Sequence, residues 1–275
     1  MNVGMDIDGI LANFHFGFSK VANRLFGSPI IEDINDVKAY RWEDWNYPLT
    51  KNEHNKVWRE IDENVKGFWF SLPPLVNNSI FKRMKDMEIN GYNFFFITSR
   101  KNTAGYTALA QTKAWIESCT ALKSFSVIPS HRKGGILDRA EIDYFIDDLP
   151  ENIIEASIEA PKCKSFLLIR PYNAYAVEFI QKSHRFKNIG ICYSVDSFLD
   201  EIENAGNYEP SNCNFVTSQE NNRNKRPKKF KLSIEKVNEI RTLYATGNHT
   251  QKELAKLYNT NQTTISEIVN NKRWG

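Results

Sequence analysis

The sequence predicts an α/β protein: an open parallel sheet with a small helical insert, followed by a separate all-helical piece at the C-terminus. Three observations carry this. Apolar runs that read as buried strands (MNVGM, NFFFI and YFI) each end in polar residues, namely Asp6 and Asp8, Thr98 to Arg100, and Asp147 with Asp148. Segments of helical period separate these runs, the alternation expected of parallel strands with right-handed crossovers. Charge also divides the chain: residues 221–275 hold 12 Lys/Arg against 4 Asp/Glu, while residues 1–220 hold 24 against 29. A mildly acidic body therefore carries a basic tail, and such asymmetry points to an anionic partner for the tail or to a merely solubilising run.

The first strand stops at two carboxylates one residue apart, and Gly9 lets the chain turn. Such a pair either caps the next helix, holds a solvated turn or does chemistry. From about Phe14 to Leu75 the chain reads as helical and is rich in rings: Phe14, Phe16, Phe18, Trp42, Trp45, Tyr47, Trp58, Phe68, Trp69 and Phe70. Most of these belong in a core, because aromatic side chains bury large areas. A minority facing the acids could stack on a flat ligand such as a nucleobase.

The segment SIFKRMKDMEINGY places Ile80, Phe81, Met84, Met87 and Ile89 at helical spacing and stops at Gly91. Phe94 to Ile97 then form a strand buried on both faces. Thr98, Ser99 and Arg100 sit at its C-terminal end, where open parallel sheets bind ligands, and they suit either an anion or a helix N-cap. A helix over Thr107 to Ser118 leads to the short strand of FSVIPSHRKGG, with His131, Arg132 and Lys133 in its loop. Tyr144 to Ile146 repeats the opening pattern, ending in Asp147 and Asp148 before Pro150. SFLLIRPYN reads as a fifth strand, and SVDSFLDEIENAG as a closing helix that ends near Gly206.

At 275 residues, 41% hydrophobic and 25% charged, the chain suits one large soluble domain plus an appendage, and no apolar run approaches a membrane span. Cys119, Cys163, Cys192 and Cys213 form neither a C-x-x-C pair nor a ligand cluster, which argues against zinc and for a reducing compartment. With no leader-like N-terminus, the cytoplasm is the expected location.

Four of these stretches in order, DIDG, ITS, Lys133 and IDD, resemble the motifs of the haloacid dehalogenase superfamily of phosphohydrolases. FWFSLPPL, AWIES and the placement of Phe14 resemble its 5'(3')-deoxyribonucleotidase branch, over about residues 1 to 203. The resemblance implies a Rossmann-like sheet covered by a helical cap over about residues 15–75. It implies a nucleotide as substrate, Asp6 as nucleophile forming an aspartyl-phosphate, and Asp8 as general acid and base. Thr98, Ser99, Arg100 and Lys133 would bind phosphate, with Arg132 as the alternative cation. Mg²⁺ would be held by Asp6, the Asp8 carbonyl and Asp147, with Asp148 orienting the set. Phe14, Trp42 and one of Phe68, Trp69 or Phe70, with Trp69 preferred, would form the base pocket. The chemistry is coherent on its own terms. Phosphoryl transfer needs a placed nucleophile and neutralised charge, and clustered acids suit a hard, oxygen-seeking cation.

Residues 207–231 read as a basic linker, with Pro210 and Pro227 as breakers, and residues 232–275 as a helical module. NFVTSQENNRNK resembles the segment after the catalytic motif of phage HNH homing endonucleases. The nuclease histidines and acids are absent, so nuclease activity is not implied. The resemblance points to a phage or similar genome, and so to the host cytoplasm. SIEKVNEIRTLYATG presents Ile234, Val237, Ile240, Leu243 and Tyr244 on one face. Thr250 caps a second helix, Asn259 stands at the turn, and Gln262 to Asn270 forms a third. Together they resemble a helix-turn-helix, which implies double-stranded DNA as partner. Gln262, Thr263, Thr264 and Glu267 would be exposed to bases, with Lys272 and Arg273 on phosphates. A helical bundle making homodimer contacts is the alternative, and a phosphatase acting on DNA ends or a DNA-binding regulator with a vestigial catalytic fold are the alternatives for the whole chain.

Overall fold

A sheet of six parallel strands, in the order β3-β2-β1-β4-β5-β6, forms the centre of the N-terminal unit. The computed structural model describes residues 1–38, 49–183, 186–206, 234–245, 249–258 and 260–270. These fall into two units, Met1–Glu209 and Pro210–Gly275.

The strands are β1 (Asn2–Met5), β2 (Asn93–Thr98), β3 (Phe125–Pro129), β4 (Tyr144–Asp147), β5 (Lys164–Leu168) and β6 (Ile189–Cys192). Their side chains sort by the two-residue period of a pleated strand. Val3, Met5, Phe94, Phe96, Ile146, Phe166 and Leu168 point into one buried cluster, which Met84, Trp115, Ile116, Phe198 and Ile202 complete. Those residues come from α3 (Asn78–Ile89), α4 (Ala108–Thr120) and α8 (Val195–Gly206). Ile97, Phe145 and Leu167 point into the other cluster with Leu137, Ile153, Ala156 and Ile180. These come from α5 (Gly134–Arg139), α6 (Pro150–Glu159) and α7 (Ala176–Lys182). The sheet is thus covered on both faces, which explains why its central strands are apolar at successive positions.

Gly4 in β1 is required by close packing. A Cβ there would lie 3.1 Å from both Ile142 Cγ2 and Phe145 Cδ2. The chain leaves β1 for β2 and β3 on one side and returns to β4 on the other, with Met5 paired to Phe96 and Ile146. The strand order therefore reverses at β1 and β4, and the crevice beyond their C-terminal ends is where ligands bind in such sheets.

Between β1 and α3 lie α1 (Phe14–Phe26), a 3-10 turn (Ile34–Asp36) and α2 (Lys51–Glu63). Asn13 caps α1 by accepting from the Phe16 N–H, and Gly27 ends it in the left-handed region at φ 71°. Thr50 and Glu53 form a reciprocal capping box on α2. The helical insert expected between the first two motifs is therefore present, with Trp42 outside the described residues.

The second unit contains α9 (Ile234–Ala245), α10 (Gln251–Leu257) and α11 (Gln262–Val269). They share a small core of Val237, Ile240, Leu254, Ala255, Ile265 and Ile268. Thr250 caps α10 in a box with Glu253, and Asn261 caps α11 by accepting from the Thr264 N–H. Two expectations are corrected here. Thr264 is buried, because the cap at Asn261 sets a helical phase that turns Thr264, Ile265 and Ile268 to the core. Tyr244 is exposed rather than on the apolar face. Gln262 and Thr263 are exposed as expected, and Glu267 is half-buried. Lys272, Arg273, Asn259 and the linker 207–231 lie outside the described residues. Among the described residues, no helix is long and apolar enough to cross a membrane.

Candidate active site

Asp6 follows β1 directly, and its N–H donates to the Ile146 carbonyl at 2.9 Å, continuing the ladder to β4. The chain then turns tightly, with the N–H groups of Leu11 and Ala12 both donating to the Ile7 carbonyl at 2.8 Å. Gly9 makes this possible at φ 79°. Asp147 ends β4, Asp148 follows it, and Thr98 ends β2, so one crevice collects the polar ends of three strands.

Carboxylate oxygens of Asp6, Asp147 and Asp148 lie within 4.8 Å of one another, and all three side chains are buried. The Lys133 ammonium, 1% exposed, stands 2.9 Å from Asp6 Oδ1 and 2.6 Å from Asp147 Oδ2. Of the two cations left open by the sequence, Lys133 is therefore the one in the crevice. Arg132 points away, exposed and paired with Glu155 and Glu159. Asp147 is fixed further by the Leu149 N–H at 2.8 Å on Oδ1 and by Asn152 Nδ2 at 3.0 Å on Oδ2. Asp148 accepts from the Tyr172 hydroxyl, while its backbone carbonyl accepts from Asn173 Nδ2 at 2.7 Å.

Electrostatics follow from this crowding. Burial, then the negative charges of Asp147 and Asp8, push Asp6 up to about 7, against the pull of Lys133. Asp148 is raised well above the usual carboxylate range by burial and by Asp147 and Asp6. Burial disfavours the Lys133 charge, but Asp147 and Asp6 outweigh it and the ammonium is held protonated. His15, buried at the crevice wall, is pushed down to about 4 by burial and stays neutral.

Two buried oxygens at the strand ends lack a hydrogen-bond partner. One is Thr98 Oγ1; the other is Asp6 Oδ1, whose neighbour at 2.9 Å is the Lys133 ammonium of the ion pair. Buried polar atoms are seldom left so, and these two face a crevice with three acids and one ammonium. The donor set is all oxygen and carries excess negative charge, which fits a hard divalent cation beside a phosphate.

The cavity at this point measures about 150 Å³ and is lined by Asp6, Asp8, Phe14, Trp58, Trp69 and Lys133 among others. Phe14 stacks on Trp58 at 5.7 Å and on Trp69 at 6.0 Å between ring centres. Of the three adjacent rings considered in the sequence, Trp69 faces the cavity, Phe68 is buried in the core and Phe70 is half exposed. Ser99 also lines the cavity, its hydroxyl donating to the Ser130 carbonyl at 3.1 Å. Arg100 does not stand free for an anion: its Nε and one terminal nitrogen each donate to Asp8 at 2.8 Å.

Several contributors escaped the sequence reading. Trp58, His15 and Asn152 line the cavity. Arg170 donates twice to the Gly9 carbonyl, at 3.0 and 2.7 Å, and so braces the acid turn. Arg170, Tyr172 and Asn173 follow β5, so the rule that polar groups after a parallel strand serve the site would have found them.

An acid-lined crevice with a buried lysine lies at the switch point of a doubly covered parallel sheet, and the family match over residues 1–189 makes the chain a phosphoric monoester hydrolase of the haloacid dehalogenase fold. The family model described as "5' nucleotidase, deoxy (Pyrimidine), cytosolic type C protein" matches residues 1–189. The chain belongs to this family. It is 23% identical over 159 residues to an Oceanobacillus iheyensis protein named "Putative nucleotidase OB0422", covering 54% of this chain and 78% of that protein. A crystal structure described as a hydrolase from Streptococcus pneumoniae TIGR4 aligns with 65% of this chain and 98% of its own at 15% identity, with a TM-score of 0.38.

Proposed function

We propose that this chain hydrolyses the phosphate monoester of (deoxy)nucleoside monophosphates with the help of Mg²⁺. The observation that supports this best is the Asp6, Lys133, Asp147 arrangement: a buried carboxylate at a strand end, bridged by a buried ammonium to a second buried acid, with a third close by. Asp6 attacks phosphorus and becomes an aspartyl-phosphate. Asp8 delivers a proton to the leaving oxygen and then takes one from the attacking water. Thr98 Oγ1 and the Ser99 N–H receive phosphate oxygens, and Lys133 offsets their charge as a compact cation. Asp6, the Asp8 carbonyl and Asp147 would hold Mg²⁺, with Asp148 orienting them, and the ion would supply further neutralisation of the transferred group. Phe14, Trp58 and Trp69 offer faces to a base.

The test is a screen of phosphate esters, including nucleoside 5'- and 3'-monophosphates, with and without Mg²⁺. Turnover that needs the metal and vanishes in Asp6→Asn supports the reading; no turnover of any ester defeats it. The basic charge of residues 221–275 favours a second reading for the tail, that it holds double-stranded DNA and brings the phosphatase to DNA ends. Comparing 5'- and 3'-phosphorylated duplexes with mononucleotides on the full chain decides it, since DNA-end activity should fall steeply with salt.

A further inference from the structure

We infer that Arg100 is a positioning residue that fixes the Asp8 carboxylate against the substrate and acts through Asp8, not on the transferred phosphate. The inference rests on the phosphatase reading above and concerns how its proton donor is held.

The guanidinium is fixed on three sides. Its Nε and one terminal nitrogen donate to the two oxygens of Asp8, each at 2.8 Å, the planar two-point pairing that arginine favours. Its other terminal nitrogen donates to Thr112 Oγ1 at 3.2 Å, inside the protein. Its face lies 4.9 Å from the ring centre of Trp69. Trp69 is itself clamped, its N–H donating to Gln111 Oε1 at 3.0 Å and its indole N–H to the Lys101 carbonyl at 2.8 Å. Both residues line the cavity, but the Arg100 side chain is wholly buried whereas that of Asp8 is 23% exposed, so the acid is the more open member of the pair.

Three of the five guanidinium N–H groups are committed to Asp8 and Thr112, so a phosphate at Arg100 would have to share it with the acid. The pairing also leaves Asp8 competent. A carboxylate has about four lone-pair sites, and the fork occupies one on each oxygen, so the others remain for a proton or a water. In the first half-reaction an Asp6 oxygen bonds to phosphorus, the bond to the leaving oxygen breaks with its electron pair on that oxygen, and the Asp8 proton goes to it. In the second, water bonds to phosphorus, its proton goes to Asp8, and the bond to Asp6 breaks with its pair returned to the carboxylate.

A nucleoside leaves as a poor alkoxide and needs that proton, whereas p-nitrophenolate departs as a stable anion. The experiment compares kcat/KM, which reports events up to leaving-group departure, for a nucleoside monophosphate and for p-nitrophenyl phosphate. In Arg100→Met the nucleotide value should fall on the order of 10²-fold or more, the scale of a misplaced general acid, and the aryl value by less than about fivefold. Inhibition by inorganic phosphate should keep its constant. Arg100→Lys, with a point charge in place of the fork, should restore only part of the loss. Thr112→Val, nearly isosteric, should show the same leaving-group bias in smaller measure, which keeps the test alive if the buried arginine proves necessary for folding. Parallel loss on both esters with weaker phosphate inhibition would make Arg100 a phosphate anchor and overturn the inference. Unchanged kinetics in both variants would overturn it too. A wild-type enzyme that turns over neither ester defeats the phosphatase reading itself, an outcome distinct from parallel loss in an active one.

Discussion

Lys133 Nζ lies 2.6 Å from Asp147 Oδ2, and both side chains are buried. The same ammonium reaches Asp6 at 2.9 Å, so a single cation ties the ends of β1 and β4 across the switch point. Removing one partner of a buried pair leaves uncompensated charge, which costs roughly 3–5 kcal/mol. Lys133→Met should therefore lower unfolding free energy by an amount of that order in denaturant titrations without metal. Mg²⁺ should recover part of it by replacing the lost positive charge. A variant as stable as the parent without metal would show that the pair does not hold the two strands.

The acids bear on metal binding through their protons. Asp6 is pushed up to about 7 and Asp148 is raised as well, both first by burial. A raised carboxyl stabilises the fold fully below its unfolded value and loses that contribution as pH rises through the folded one. For Asp6 that window runs from 3.8 to about 7. A cation needs the carboxylate, so Mg²⁺ binding should expel protons at pH 6 and fewer once Asp6 has ionised above about 7. Titration calorimetry in buffers of different ionisation enthalpy reads this directly. Heats that do not depend on the buffer at pH 6 would contradict it.

Gly9 permits a separation of two effects. A Cβ there would meet Asp148 Oδ2 at 2.3 Å and the Tyr172 hydroxyl at 2.9 Å, on a backbone at φ 79°. Gly27 has a similar φ of 71°, yet nothing lies within 4 Å of its would-be Cβ. Gly27→Ala should lose only the left-handed backbone penalty, roughly 1–2 kcal/mol. Gly9→Ala should lose more than that and also weaken Mg²⁺ binding, because Asp148 must move. Equal losses of stability with unchanged metal affinity would place Asp148 outside the metal site.

What the sequence revealed follows from where burial is strongest. β1, β2 and β4 are apolar at successive positions and end in charges, so periodicity marked both the strands and their functional ends. β6 is a short edge strand, only half-buried over Ile189 to Ile191, and its Gly190 is needed because a Cβ would lie 2.4 Å from the Phe166 ring. Neither fact leaves a periodic trace. The types at Asp6, Thr98, Lys133 and Asp147 were legible because strand ends converge by topology. That Arg100 turns to Asp8 was not, because the direction of a long side chain depends on Thr112 and Trp69, which are distant in sequence from the acid. Thr264 is buried although α11 begins at Gln262 as the sequence indicates, because it stands beside Ile265 and one turn before Ile268 on the face that packs into the core.

Trp58 is one of the rings between Phe14 and Leu75, of which most are expected in a core and a minority facing the acids, and it lines the cavity from α2. It stacks on Phe14 with 21° between planes, and Lys101 Nζ lies 4.2 Å over its ring while pairing with Asp62 at 2.7 Å. An indole held this way is rigid, and contact of its cavity-lining part with a base is worth at most the roughly 1–3 kcal/mol of a base–aromatic stack. Trp58→Ala should therefore raise KM for nucleoside monophosphates about tenfold or more while leaving kcat nearly unchanged, the pattern of lost uniform binding. A phosphate ester without a ring, such as glycerol phosphate, makes no such contact and should keep its KM. If both substrates weaken together, the ring supports the fold of the insert and does not touch the base; if neither does, the base lies elsewhere in the crevice.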